Sequence, residues 1–421
     1  MNIPKIHPME IDNLPLPRKI VLSNGVPLYV MQGGTPQIVR LDLLFKGGYA
    51  IQQQPLQALF TNRMLREGTE DFTSDEISQR LDFCGAWVEM YSSQNCNHIT
   101  LHTLRKHLSP LLSMLESMLK RPLFPQTKLE NVRSSNKAYF EVSSGKVGNV
   151  SQRHMEQMLW GEQHPLGHIV TVNDYDAITR ECLQYYHRNV YSSETLTLFM
   201  SGGIDDASVA EVEKYFGSEQ WGSGSLLSSS VLPSAQPILG RRKVSMPGVM
   251  QSGVKIGCMV MNADSPDFLK FRFTTVLFGG YFGSRLMSNI RERNGYTYHI
   301  EACLDEFGSN NALVISSETA NEYVDKLIGE VYAEMASLRT KPVSEEELSL
   351  VRNYTMGELC REYEGVSAKA EVFINMWLSG MPFEAVNEYL DVIRTISAND
   401  IQEMACKYLL PQNMSEVVVA P

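Results

Sequence analysis

The sequence lacks three features that would each place a protein in a particular class. It has no apolar run of about 18 residues, the length that a transmembrane helix needs. It has no excess of basic residues, because it contains 37 Lys and Arg but 48 Asp and Glu. The resulting net charge of −11 argues against a nucleic-acid partner. Its N-terminal stretch, MNIPKIHPMEIDNLPLPRK, mixes proline with acidic residues where a secretory signal would be apolar. We therefore expect neither membrane insertion nor secretion.

The cysteines also lack a pattern that would indicate a metal site or a disulfide framework. The seven are odd in number, widely scattered and never spaced as C-x-x-C. Reduced thiols in a cytoplasmic protein are the simplest interpretation. We predict a cytoplasmic location.

The length of the chain predicts more than one domain. Its 421 residues exceed what a single hydrophobic core usually supports, and 43% hydrophobic with 20% charged residues is typical of a folded globular protein. The segment 217–237 is rich in Gly, Ser and Pro, as surface linkers are. We predict an N-terminal domain at 1–225 and a C-terminal domain at 226–421.

The first half alternates strand and helix signals. Asn24-Gly25 joins two β-type runs and tolerates the positive φ of a hairpin turn. A strand is predicted at 38–45, followed by an amphipathic helix that should end at Gly68, and then by an alternating strand region at 87–104. The pattern is typical of an α+β protein.

Capping residues predict further helix starts. Ser109 is expected to cap a helix. In the second half, Thr319 with Glu322 and Ser344 with Glu347 have capping-box spacing ahead of long amphipathic runs.

A weak internal repeat relates the two halves. The segment 178–183 and the strand run at 195–199 resemble 396–401 and the run at 415–420. Each half should therefore close with a capped helix and a strand.

Four stretches together carry a resemblance to a known family. In order and spacing they are similar to the insulinase/pitrilysin-type zinc metallopeptidases, in particular to the processing-peptidase-like subunits, over nearly the full length. The stretches are LSNGVPLYV at 22–30, MLREGTE at 64–70, the run from HPLGHIV to SGGID at 164–205, and GGYFGSRLMSNIRERNGYTYHI at 279–300. The resemblance implies two homologous α+β domains, each an antiparallel or mixed β-sheet covered by α-helices, as in the LuxS/processing-peptidase-like metallopeptidase fold.

The resemblance breaks at the zinc motif. Active members carry H-x-x-E-H on the helix leading into MLREGTE, where two imidazoles four residues apart bind one zinc ion and the glutamate activates its water. In this sequence Leu59 replaces the first ligand, Asn62 the general base and Arg63 the second ligand. We predict a catalytically silent chain, without a metal or cofactor of its own.

No other residues supply the missing ligands. The third ligand of the family would fall near Tyr139 or Phe140, and Glu141 is one residue, or about 100°, out of register. The histidines offer little more. His98 and His102 are four apart in a strand, where a solvated or hydrogen-bonded pair is expected, and His164 and His168 flank a turn that the family places away from its metal.

The second half retains candidates for a substrate clamp. The family's C-terminal domain contributes an arginine and a tyrosine that hold the substrate backbone and its carbonyl oxygen, and at that spacing this sequence has Arg291 and Tyr298. Arg293 lies two residues after Arg291 and is a second candidate for the family's substrate-binding arginine. The alternative is that Arg291 is a helix-terminal cation and that Tyr298 packs in a strand.

Two functions remain open from the sequence. The resemblance implies a division of labour in which one subunit bears zinc and the other supplies the arginine and tyrosine. The first hypothesis is a silent subunit that pairs with a homologous zinc-bearing peptidase chain, encloses a peptide chamber and binds unfolded peptides by strand addition. The alternative is a homodimeric scaffold or peptide-binding protein without a proteolytic role.

Overall fold

The computed structural model describes residues 11–225, 233–307 and 310–421, and contains two mixed β-sheets. One sheet comes from the first half of the chain and the other from the second. The strands are β1 Arg18–Val21, β2 Pro27–Gln32, β3 Ile38–Lys46, β4 Trp87–Ser92, β5 Cys96–Leu104, β6 Leu196–Gly202, β7 Gly240–Ser245, β8 Gln251–Val260, β9 Thr297–Phe307, β10 Asn310–Ala320 and β11 Ser415–Ala420.

The two sheets share one topology. The first has the order β1-β2-β6-β3-β5-β4 and the second β7-β11-β8-β10-β9, so that β2 to β6 correspond in order to β7 to β11. The pairs β2/β6 and β7/β11 are parallel, and all other neighbours are antiparallel. The predicted fold class, two mixed sheets covered by helices, is confirmed.

Fourteen α-helices in the described ranges cover these sheets. They are α1 Gln57–Met64, α2 Ser74–Cys84, α3 Leu108–Lys120, α4 Gln126–Ser143, α5 Val147–Trp160, α6 Val172–Asp176, α7 Arg180–Val190, α8 Asp206–Val212, α9 Phe268–Gly279, α10 Val324–Thr340, α11 Glu345–Glu362, α12 Val366–Leu378, α13 Ala385–Thr395 and α14 Ala398–Tyr408. A π-helical segment, Met287–Arg293, precedes β9.

The internal repeat appears as two matching helix starts. The hydroxyl of Thr179 accepts a hydrogen bond from the backbone N–H of Cys182 at the start of α7, and Ser397 does the same for Asp400 at the start of α14. Such caps satisfy backbone donors that the first turn leaves unpaired. The strand that follows α7 is β6 and the strand that follows α14 is β11, and each of these strands pairs with a neighbour on both sides in its sheet.

One helix from each half packs against the sheet of the other half. Helix α5, from the first half, packs on β8 and β11 of the second sheet, where Met155 and Trp160 join a core with Val314 and Val417. Helix α12, from the second half, packs on β2 and β6 of the first sheet. This exchange joins the halves through buried apolar surface.

Three predicted helix boundaries differ in the structure. Helix α1 ends at Met64 rather than at Gly68, and α3 begins at Leu108, so Ser109 lies inside its first turn. Thr319 lies in β10, because strand pairing competes with helix capping for this residue. Its hydroxyl donates to the carbonyl oxygen of Tyr296 instead of capping a helix. These capping predictions were wrong.

Other local predictions hold, with refinements. The hairpin at Asn24-Gly25 joins β1 to β2, and the region 87–104 forms two paired strands rather than one. Ser344 caps α11 by accepting from the N–H of Glu347, but that glutamate pairs with Arg285 instead of closing a capping box.

The predicted boundary between 225 and 226 falls where a described range ends, and residues 226–232 lie outside the described residues. The domain division therefore stays a prediction. No described helix is both long and apolar enough to cross a membrane.

Candidate functional site

Helix α1 carries the positions of the degenerate zinc motif. It follows β3 and packs against α7 and β4. Its N-terminal neighbour Leu56 has a φ of 69°, an uncommon conformation for a bulky residue, which turns the chain into the helix. Phe60 and Thr61 are fully buried, so this face of α1 belongs to the core.

Asn62 is used to hold α1 against the first sheet. Its side chain is completely buried, and its amide group donates to the carbonyl oxygens of Tyr91 at 2.7 Å and His98 at 3.2 Å. These two residues face each other across β4 and β5. Since a buried polar group is costly unless it is hydrogen-bonded, the donated bonds make Asn62 a structural residue.

Leu59 and Arg63, at the two positions of the zinc-binding histidines, differ in burial. Leu59 is partly buried and lines a cavity of about 230 Å³, whereas Arg63 is exposed. Glu156 of α5, together with Tyr49 and His168, lines the same cavity. Burial raises the pKa of the Glu156 carboxyl.

Sequence reasoning missed this cavity. Besides residues next to α1, its lining includes Gln94, about 30 residues along the chain, and Glu156 and His168, about 100 residues along it. No local pattern in Glu156 or His168 indicates the association. The turn that carries His168 was expected to lie away from the motif, but the structure brings that residue to the cavity of Leu59.

Helix α4 supplies no third ligand. Tyr139 is exposed, Phe140 packs against Tyr175 and beneath the Arg153 guanidinium, and Glu141 is exposed. Across the described ranges, no group of three or more His, Cys, Asp and Glu is arranged to hold a metal ion.

The two strand histidines are held separately. His98 is buried, stacks on Tyr91 with ring centroids 4.1 Å apart, and lies 3.2 Å from the hydroxyl of Ser93. Burial lowers the pKa of His98 to about 4, so its imidazole is neutral at pH 7. His102 stacks on Trp87 instead.

Tyr298 projects from the edge strand of the second sheet. It lies at a β-bulge in β9, where Tyr298 and His299 together oppose one residue of β10, Glu318. The buried hydroxyl of Thr297 fixes the bulge through contacts with the carbonyl oxygens of His299 at 2.9 Å and Glu318 at 2.6 Å. Bulges redirect side chains, and Tyr298 is 85% exposed beside a cavity of about 330 Å³.

Arg291 lies in the π-helical segment just before the turn that leads to β9. Its guanidinium stacks on the exposed ring of Phe282, with the central carbon 4.6 Å from the ring centroid. Within the described residues its side chain has no hydrogen bond and no ion pair. The donors of this cation therefore remain available to a binding partner.

Known proteins of one peptidase family resemble this chain. The profile described as Peptidase M16 inactive domain matches residues 177–354. The chain is 21% identical to the uncharacterized zinc protease YmxG of Bacillus subtilis, over 84% of this chain and 86% of that protein. It is 22% identical to the non-peptidase homolog YmxG of Helicobacter pylori, over 86% of this chain and 84% of that protein.

The chain belongs to the M16 peptidase family. A probable mitochondrial-processing peptidase subunit beta from Arabidopsis thaliana, 18% identical, aligns with 86% of this chain and 70% of its own length.

Solved structures of other proteins have the same fold. The peptidase M16 inactive domain from Pseudomonas fluorescens superimposes with a TM-score of 0.86 at 19% identity, covering 96% of this chain and 98% of that one. A chain of Complex III2 from Candida albicans superimposes with a TM-score of 0.74 at 13% identity, covering 96% and 95%.

The M16 motif implies zinc on α1, and the residues present do not fit it. Leu59 has no donor atom, Arg63 is a permanent cation, and the Asn62 amide already donates to two backbone carbonyls. We conclude that this chain is an M16 homologue without metallopeptidase chemistry of its own.

Proposed function

We propose that the chain is the non-catalytic subunit of a cytoplasmic M16 assembly, paired with a homologous zinc-bearing chain, to which it supplies Arg291 and Tyr298 as a substrate clamp. The observation that carries the proposal is the exposure of Tyr298 on a bulge fixed by Thr297, beside an open cavity. A tyrosine that served only to pack the strand would be buried.

The chemistry of the two side chains suits a peptide backbone. A guanidinium offers several N–H donors and a phenol offers one O–H donor, and both can hydrogen-bond a peptide carbonyl oxygen. Donors that are already positioned act most strongly on an oxygen that gains negative charge during the reaction. The cation–π contact with Phe282 restricts the guanidinium of Arg291 without consuming its hydrogen-bond donors.

The position of Tyr298 also suits strand addition. Strand β9 is an edge of the second sheet, so one side of its backbone has no partner strand within that sheet. An extended peptide can pair with such an edge through main-chain hydrogen bonds, which read the backbone more than the sequence. We expect broad selectivity for unfolded peptides.

The test is reconstitution with a homologous chain from the same organism that contains H-x-x-E-H. Hydrolysis of an unstructured fluorogenic peptide is measured for each chain alone and for the mixture. We expect activity in the mixture that this chain lacks alone, and a fall of about 100-fold or more with Arg291→Ala or Tyr298→Phe.

The matched control is Arg293→Ala, which removes an exposed arginine two residues away and should retain the activity of the mixture. Equal activity of the mixture with and without Arg291→Ala and Tyr298→Phe would refute the clamp. Failure of the two chains to associate would refute the pairing itself.

A second function is favoured by one finding, the fold match to a Complex III2 chain over nearly the full length of both proteins. In that case the chain would form a homodimeric scaffold or bind peptides without any role in proteolysis. Purification of the chain from its native cell distinguishes the two, because only the first function predicts a similar-sized partner that contains H-x-x-E-H.

A further inference from the structure

A separate cavity lies in the second half of the chain, between β9 and the helices α9, α11, α12 and α13. Its volume of about 320 Å³ is near the lower limit of small-molecule sites, about 300 Å³. Apolar side chains form much of its wall. They include Leu304, Leu359, Val372, Met376, Met381 and Val386.

Arg272 brings a cation to this apolar wall. The residue projects from α9, is partly buried, and stacks on Tyr389 with its central guanidinium carbon 5.0 Å from the ring centroid. Within the described residues this guanidinium forms no hydrogen bond and no ion pair. The carboxylates of Glu306 and Glu362 line the same cavity and balance the charge of Arg272, but neither accepts a hydrogen bond from it, so its N–H donors remain available to an acidic group of a ligand.

Two tyrosines add neutral polar groups. Tyr363 and Tyr389 are buried side chains that line the cavity, and neither hydroxyl hydrogen-bonds to a described residue. Burial raises the pKa of each phenol to about 12, so both are neutral at pH 7. Each hydroxyl can donate to, or accept from, a polar ligand.

Two glutamates bring the opposite charge. Glu306 of β9 lines the cavity and is contacted by the hydroxyl of Ser379, and the exposed Glu362 lines it from α11. A simple anion would be attracted by Arg272 but repelled by the two carboxylates. A simple cation would be attracted by the carboxylates but repelled by Arg272. A small ligand with both charges and an apolar part suits the whole lining.

The topology relates this cavity to the degenerate motif. Helix α9 follows β8 as α1 follows β3, and α11 is the counterpart of α4 in the repeated order of elements. The second half thus places a charged cavity between the same pair of helices that carries the lost zinc positions in the first half.

We propose that this cavity binds a free α-amino acid with an apolar side chain. The carboxylate lies against Arg272, the ammonium group faces Glu306 and Glu362, and the side chain packs on the apolar wall. Binding needs no partner chain, so it stands apart from the proposed subunit function.

Calorimetric titration of the full chain with L-leucine and L-phenylalanine tests the site. We expect saturable binding at millimolar concentrations or below. Leucinamide lacks the carboxylate and N-acetyl-leucine lacks the ammonium group, and each should bind at least tenfold more weakly than leucine. Arg272→Gln should weaken leucine binding by at least tenfold.

The control is Arg361→Gln, which removes an exposed arginine on α11 that pairs with Glu358 and should leave binding unchanged. No saturable binding of either amino acid, or equal binding by Arg272→Gln, would overturn the proposal. If Arg272→Gln does not fold, as judged by circular dichroism, the ligand series on the unmodified chain decides, and equal affinity for leucine, its amide and its N-acetyl derivative overturns the proposal.

Discussion

The two sets of candidate site residues differ in burial. One set lies on helix α1, and the other comprises Tyr298 on strand β9 and Arg291 in the π-helical segment before it. Asn62 on α1 is completely buried and donates to two strands, whereas Tyr298 on β9 is 85% exposed. At the degenerate zinc motif, Asn62 therefore holds the helix against the first sheet, whereas Arg63 is exposed. In the second half, Tyr298 is exposed and Arg291 is partly exposed, so both side chains remain accessible to a ligand.

The largest effect that tests this contrast is expected from Asn62→Asp. The substitution keeps the size of the side chain but turns a carboxylate oxygen toward the carbonyl oxygens of Tyr91 and His98. A buried charge without donors is destabilising, so the free energy of unfolding should fall by about 3 kcal/mol or more. Urea denaturation followed by circular dichroism measures the change.

Tyr298→Phe is the matched control for stability. It removes one hydroxyl from an exposed ring, and the free energy of unfolding should change by no more than about 0.5 kcal/mol. If Asn62→Asp and Tyr298→Phe lowered the free energy of unfolding by similar amounts, the proposed difference between the two regions would be refuted.

An effect of comparable size is expected from acid. His98, which accepts from Asn62 through its backbone carbonyl, has its pKa lowered by burial from 6.5 to about 4. Between these values the unfolded chain binds the proton and the folded chain does not. The stability that depends on neutral His98 is therefore complete above pH 6.5 and falls as the pH drops toward 4, by roughly 3 kcal/mol in all.

His98→Gln should reduce this acid sensitivity, as measured by the free energy of unfolding between pH 7 and about pH 4. The control is His299→Gln, because His299 lies beside Tyr298 in the second half and is exposed. Acid sensitivity that stays the same with His98→Gln would contradict the assignment of this histidine.

The sequence predicted the repeat and the lost motif because both depend on local signals. Thr179 and Ser397 are typical cap residues ahead of amphipathic helices, and the change at Leu59, Asn62 and Arg63 is visible in five consecutive letters. The capping prediction for Thr319 failed because strand pairing competes with helix capping for the same residue.

Contacts between distant segments could not be predicted in this way. Nothing in the sequence of α5 indicates that it packs on the second sheet, or that Glu156 reaches the cavity beside Leu59. Arg272 has no motif either, and only the assembly of four helices and β9 places it in a cavity.

The most direct test is the metal content of the purified chain after exposure to zinc, with peptide hydrolysis measured in the same samples. The structure leads us to expect far less than one zinc per chain and no hydrolysis that a chelator can remove. One zinc per chain, together with peptide hydrolysis that a chelator abolishes, would contradict the conclusion that the chain has no metallopeptidase chemistry of its own.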